Sequence, residues 1–79
     1  MKHEGQFIFK ARKTTFPIQA ELAKALGVSP QFLGRVEKGA VHMPLNKIKK
    51  FCRLTKTKEQ DLIQAKVKDF YEKCLEAVK

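Results

Sequence analysis

The sequence predicts an all-α domain of five helices. Three observations carry this. Apolar residues recur at helical spacing in five segments, and none shows the alternation of a strand. The breaks between segments hold the stop and start signals of helices: Thr15-Phe16-Pro17, Gly27-Val28-Ser29-Pro30, Gly39, Pro44 and Thr57. The chain has 79 residues, enough for one domain, and 22 of them are Leu, Ile, Val or Phe, enough for a small core.

The first helix is expected from about Gly5 to Lys13, with Phe7, Ile8 and Ala11 on one face. The residue before Pro17 resists the α region and closes it. The second spans Gln19 to Leu26, buries Leu22, Ala23 and Leu26, and ends on Gly27 in the left-handed conformation. Ser29 and Pro30 start the third as N-cap and first helical residue; Leu33 and Val36 face inward and Gly39 stops it. Ala40 to Met43 reads as a loop. Pro44 opens a fourth helix to about Leu54, with Leu45, Ile48, Phe51, Cys52 and Leu54 as its apolar set. Thr57 and Gln60 fit a capping box for a fifth helix running to the end. In it Ile63, Val67, Phe70, Cys74 and Ala77 form a heptad-like seam, widened by Leu62, Tyr71, Leu75 and Val78. Ile63 and Val67 are expected to pack inward, the residues beyond them to meet a partner. No repeat or linker divides residues 1–79.

Composition narrows function. No apolar run approaches a membrane span, and no signal-peptide pattern follows the start. Cys52 and Cys74 stand 21 residues apart, and neither His3 nor His42 lies near them at ligand spacing, so no metal or other cofactor is expected. Both cysteines fall on apolar helix faces, and a disulfide is not expected. His42 has no triad partner, and no carboxylate cluster suits a nuclease. An enzyme is not expected.

The net charge is +9 and unevenly spread. Residues 1–40 carry 7 basic and 3 acidic side chains; residues 41–56 carry 5 basic (Lys47, Lys49, Lys50, Arg53, Lys56) and no acidic ones; residues 57–79 carry 5 of each. A Lys-rich stretch can be a plain solvated face. A segment without acids in a strongly basic chain favours a polyanion, and nucleic acid fits better than a membrane.

The most informative stretch is QAELAKALGVSPQFLGRVEKG, Gln19 to Gly39. Two short helices separated by three residues cannot lie antiparallel and must cross steeply. Ala23 is small where the axes approach, Gly27 permits the turn, and Val28, Leu33 and Val36 close the wedge. That describes a helix-turn-helix, whose second helix can enter a major groove.

These residues resemble the phage-repressor-like helix-turn-helix family of xenobiotic-response-element (XRE, Cro/CI) type. The likeness is close from Arg12 to Gly39 and looser over Gln6 to Leu54. It rests on Gln19, Leu22, Ala23, Gly27, Val28, Ser29, Leu33, Val36, Glu37 and Gly39. The resemblance implies a lambda-repressor-like fold, a recognition helix from Pro30 to Lys38, and a dimer on a palindromic double-stranded DNA operator, usually as a repressor. It also implies an ion pair between Arg12 and Glu37, against the alternative of two exposed charges worth little. Ile18 departs from the Ser or Thr usual before the glutamine, Gly34 from a polar residue, and the Ala40–Met43 loop is about one residue longer.

On this frame Gln31 and Arg35, one turn apart, are candidates for base edges, with Pro30 beside them. Phe32 has two readings: a contact to a thymine methyl, or packing back against Val28 or the loop. Gln19, Lys38, His42, Asn46, Lys47 and Lys50 are phosphate candidates. The fifth helix, balanced in charge, offers Val67, Phe70, Tyr71, Cys74, Leu75 and Val78 as a homodimer seam. Alternatives are an antitoxin-type regulator that also holds a toxin, a small activator, and a protein-interaction module that binds no DNA. A cytoplasmic, nucleoid-associated place in a bacterial or phage setting is the expected location.

Overall fold

The computed structural model describes residues 1–79 and contains five α-helices and no strand: α1 (Lys2–Thr15), α2 (Gln19–Leu26), α3 (Pro30–Glu37), α4 (Leu45–Thr55) and α5 (Glu59–Ala77). No helix is long and apolar enough to cross a membrane. The core draws on every helix: Ile8 from α1, Leu22 and Leu26 from α2, Leu33 and Val36 from α3, Phe51 from α4 and Leu62 from α5 are fully buried. Met43, in the loop before α4, is buried with them.

α1 begins three residues before the expected start. Its first turn has no local side-chain cap. The cap comes from α5 instead: Asp69 accepts the backbone N–H of His3 (2.8 Å) and of Glu4 (2.9 Å). An acidic side chain at a helix N-terminus satisfies orphan donors and meets the positive end of the dipole. Beside it, the fully buried Glu4 carboxylate accepts from Lys66 Nζ (2.7 Å), the Met43 N–H (2.5 Å) and His42 Nδ1 (2.7 Å). Lys66 Nζ also donates to the Met43 carbonyl (2.6 Å), and His3 Nε2 pairs with Glu72 (2.8 Å).

This polar latch sets the rotation of α5 and overturns the expected inward face. Leu62, Lys66 and Asp69 point toward the body, spaced by four and three residues. Ile63 and Val67, expected inside, are 46% and 59% exposed. Adjacent helical positions differ by about 100°, so fixing Lys66 and Asp69 inward turns the neighbouring apolar row out. Phe70, Tyr71, Cys74, Leu75 and Val78 are exposed in the same way. Of the two cysteines, therefore, only Cys52 is buried; both thiols are free, and burial pushes that of Cys52 up from its ordinary value. Leu45, assigned to the apolar set of α4, is also exposed, because its helix starts one residue after Pro44 and buries Ile48, Phe51 and Cys52 instead.

The capping box before α5 does not form. Lys58 is the N-cap residue and makes no side-chain cap bond, while Thr57 Oγ1 pairs with Thr55 Oγ1 at 2.9 Å. The preceding turn is made by Lys56 in the left-handed region at φ 57°, with the Thr57 N–H returning to the Cys52 carbonyl. Gly5 lets α1 lie against the end of α3. A Cβ there would stand 2.7 Å from the Glu37 carbonyl oxygen and 3.0 Å from the Gly39 nitrogen.

Burial of Asp69 opposes its charge, but the N–H groups of Glu4 and His3 outweigh that and hold its carboxyl below the usual carboxylate range. Asp69→Ala should lower the unfolding free energy by about 1 kcal/mol, the usual cost of losing an N-cap. Because the folded-state pKa is depressed, this contribution is complete above the unfolded value of about 4 and disappears as pH falls through the folded value. Urea unfolding of both proteins at neutral pH and down a series of acid buffers should show the gap closing in that direction.

Candidate nucleic-acid interface

α2 and α3 are joined through Gly27, Val28 and Ser29. Gly27 has φ 81°, and its N–H and that of Val28 both return to the Ala23 carbonyl. Such a left-handed residue satisfies the last carbonyls of α2 and turns the chain at once. Ser29 Oγ then accepts the Phe32 N–H at 3.0 Å, with Pro30 as the first helical residue. Leu33 and Val36 bury the inner side of α3, so Gln31 and Arg35 are exposed on the other.

Those two residues border an open concavity of 870 Å³. α3 supplies Pro30, Gln31, Gly34 and Arg35, followed by Lys38; α2 supplies Gln19; α1 supplies Phe9 and Arg12; Pro17 lies at the rim. Gly34 forms part of the wall facing Gln19: a Cβ there would be 3.4 Å from Gln19 Nε2. The departure from a polar residue at this position thus coincides with the close approach of α2 and α3.

Glu37 ties the arrangement together. Its Oε2 accepts from Arg12 Nε at 2.5 Å, and its Oε1 from Gln19 Nε2 at 3.0 Å, with Arg12 Nη2 at 3.4 Å. Arg12 Nη1 donates to the carbonyls of Phe16 and Pro17, both at 3.0 Å. The Arg12 and Glu37 side chains are only 7% and 6% exposed, so this is a buried pair rather than two solvated charges. Ile18 offers α2 no side-chain cap, and the adjacent Gln19 spends its amide on Glu37. With Glu37 neutralised by Arg12, Arg35 and Lys38 face the concavity without an ion-pair partner.

The other candidates distribute unevenly. Lys47 reaches the turn between α2 and α3, its Nζ 3.3 Å from the position of a Gly27 Cβ. Asn46 and Lys50 are exposed on α4 but do not line the concavity. Phe32 is half-buried, packs against the core in line with the second of its two readings, and does not line the concavity. His42 does not line the concavity; its Nδ1 is bound to Glu4, while about half of its side chain stays exposed. Phe9 and Pro17 had no signal in the sequence: Phe9 lies off the repeating apolar face of α1, and only the crossing of α1 and α3 brings it to the concavity.

A family model described as helix-turn-helix matches residues 18–62. The chain belongs to the XRE-type helix-turn-helix family. The matched residues run from the start of α2 through α3 and α4 into the first turn of α5. This family is one of DNA-binding transcription regulators, not of enzymes. No curated protein and no solved structure matches the chain.

Breaking a buried ion pair from one side leaves an uncompensated charge and costs about 3–5 kcal/mol. Arg12→Ala should therefore destabilise this helix-turn-helix more than an exposed Lys→Ala change. A double-mutant cycle with Glu37→Gln, read by urea unfolding, should show coupling well above the roughly 0.5 kcal/mol within which independent sites add.

Proposed function

We propose that the chain is a sequence-specific double-stranded DNA-binding transcription regulator, a repressor that occupies a palindromic operator as a homodimer. The observation that carries this reading is the outer row of α3. Gln31 and Arg35 point away from the core on a helix locked by Glu37, and no carboxylate neutralises Arg35 or Lys38. Arg35 suits the O6 and N7 edge of guanine, and Gln31 the N6 and N7 edge of adenine, with Pro30 at the leading end of the helix. Lys38, Lys47, Lys50 and Asn46 take phosphates around them. Gln19 acts by holding Glu37.

The dimer rests on α5. Val67, Phe70, Tyr71 and Val78 are each more than half exposed, and Cys74 and Leu75 lie on the same stretch. Residues 57–79, which contain α5, carry as many acids as bases, whereas residues 1–56 of two copies would repel one another. Two copies reading half-sites about one helical turn apart gain the specificity that one short helix lacks.

Selection of bound duplexes from a random library tests the reading directly. Affinity should fall with salt, each neutralised phosphate contributing about −0.9 to the slope of log K against log salt. Arg35→Ala should relax preference at one base position per half-site and cost about 1–3 kcal/mol. Lys50→Ala should weaken all sequences nearly equally. Absence of any preferred duplex overturns the proposal.

Sedimentation of the wild-type chain should give a dimer, free or on a palindromic site. Phe70→Asp should give monomers that keep their helical content and lose cooperative binding. A wild-type monomer on the palindrome rules out the homodimer; a stable complex of α5 with a different protein supports the antitoxin alternative.

A further inference from the structure

Phe9 has no place in the packing of α1. Ile8 and Ala11 enter the core, Gly5 abuts the end of α3, and Arg12 is spent on Glu37 and two carbonyls. Phe9 instead stands 40% exposed at the concavity, the only aromatic side chain there. Its ring lies 5.5 Å from Arg12 Cζ and 5.2 Å from Lys13 Nζ. Arg12 is immobilised by four hydrogen bonds, so the ring rests beside a fixed cation. Lys13 is exposed and has no carboxylate partner. The concavity therefore has Arg35 and Lys38, at and just after the end of α3, on one wall and the Phe9 ring of α1 on another, with the Lys13 ammonium over that ring and outside the concavity's own lining.

That second wall does not match a base edge, because the ring offers no hydrogen bond and a lone ammonium reads no pattern. It matches a nucleic-acid strand, which alternates an apolar sugar face with a phosphate. We infer that α1 is a second DNA-contacting element, in which the Phe9 ring packs on a deoxyribose and Lys13 Nζ binds the neighbouring phosphate. This rests on the duplex-binding reading above and adds to it a backbone contact outside the helix-turn-helix. Phe9 and Lys13 are positioning residues: they set how α3 sits in the groove and choose no base.

The test uses the full chain and the duplex it selects from a random library. Phe9→Ala should weaken binding about tenfold, the loss expected when roughly 50 Å² of ring is no longer desolvated. The preferred sequence and the salt slope should not change, and Phe9→Leu should restore most of the affinity. Lys13→Ala should reduce the magnitude of the salt slope by about 0.9. Single methylphosphonates scanned through the duplex should then reveal one phosphate per half-site whose neutralisation weakens the wild type but not Lys13→Ala. Urea unfolding separates binding from folding. If Phe9→Ala does not fold, the Lys13→Ala slope and interference pattern decide.

Unchanged affinity for Phe9→Ala in a folded protein overturns the sugar contact. An unchanged slope and interference pattern for Lys13→Ala overturns the phosphate contact. A wild-type chain that prefers no duplex overturns the reading under Proposed function, and this inference with it.

Discussion

The carboxylate of Glu37 is the point on which the recognition surface depends. It sits at the last residue of an eight-residue helix, and through it α3 is bound to α1 by Arg12 and to α2 by Gln19. A helix of two turns has little stability of its own. Leu33 and Val36 give it a buried side, but an apolar contact tolerates sliding and rotation. A buried carboxylate with a forked guanidinium does not, because any displacement leaves a charge unpaired in a dry place. Arg12 is itself held by the carbonyls of Phe16 and Pro17, so the end of α1 and the entry to α2 share the same anchor.

A second polar centre does comparable work for α5. Glu4 is buried among Lys66, His42 and the Met43 N–H, and Asp69 closes the first turn of α1. Together these groups hold α5 by directed bonds rather than by an apolar stripe, with Leu62 as its single fully buried hydrophobic side chain. The consequence is a helix that is firmly registered yet presents its hydrophobic row outward. An apolar stripe would have spent that row on the core. The polar latch leaves it available to another surface, and the loop that follows α3 is gripped by the same carboxylate.

The two centres divide the molecule by charge as well as by place. Four of the eight acids pair internally: Glu4, Glu37, Asp69 and Glu72 each have a named partner. Of the seventeen lysines and arginines, only Arg12 and Lys66 take part in ion pairs. The remaining cations stay in solvent, which gives a basic exterior around a concavity whose one inner acid is already neutralised.

The sequence by itself determined the parts governed by neighbouring residues. Gly27, Ser29 and Pro30 act over one turn of chain, so the bounds of α2 and the start of α3 could be read directly, as could the inward placing of Leu33 and Val36. The outward placing of Gln31 and Arg35 follows from the same period. Only the tertiary structure decided what depends on distant residues. The start of α1 is capped from 65 positions away along the chain, Gly5 is small because the end of α3 crosses it, and Phe9 meets the concavity through that same crossing. The rotation of α5 belongs to this class too. Its apolar row and its polar row are both compatible with a helix, and hydrophobicity alone favours burying Ile63 and Val67. The partners of Lys66 and Asp69 on α1 reverse that choice, because an unsatisfied buried charge costs more than an exposed valine.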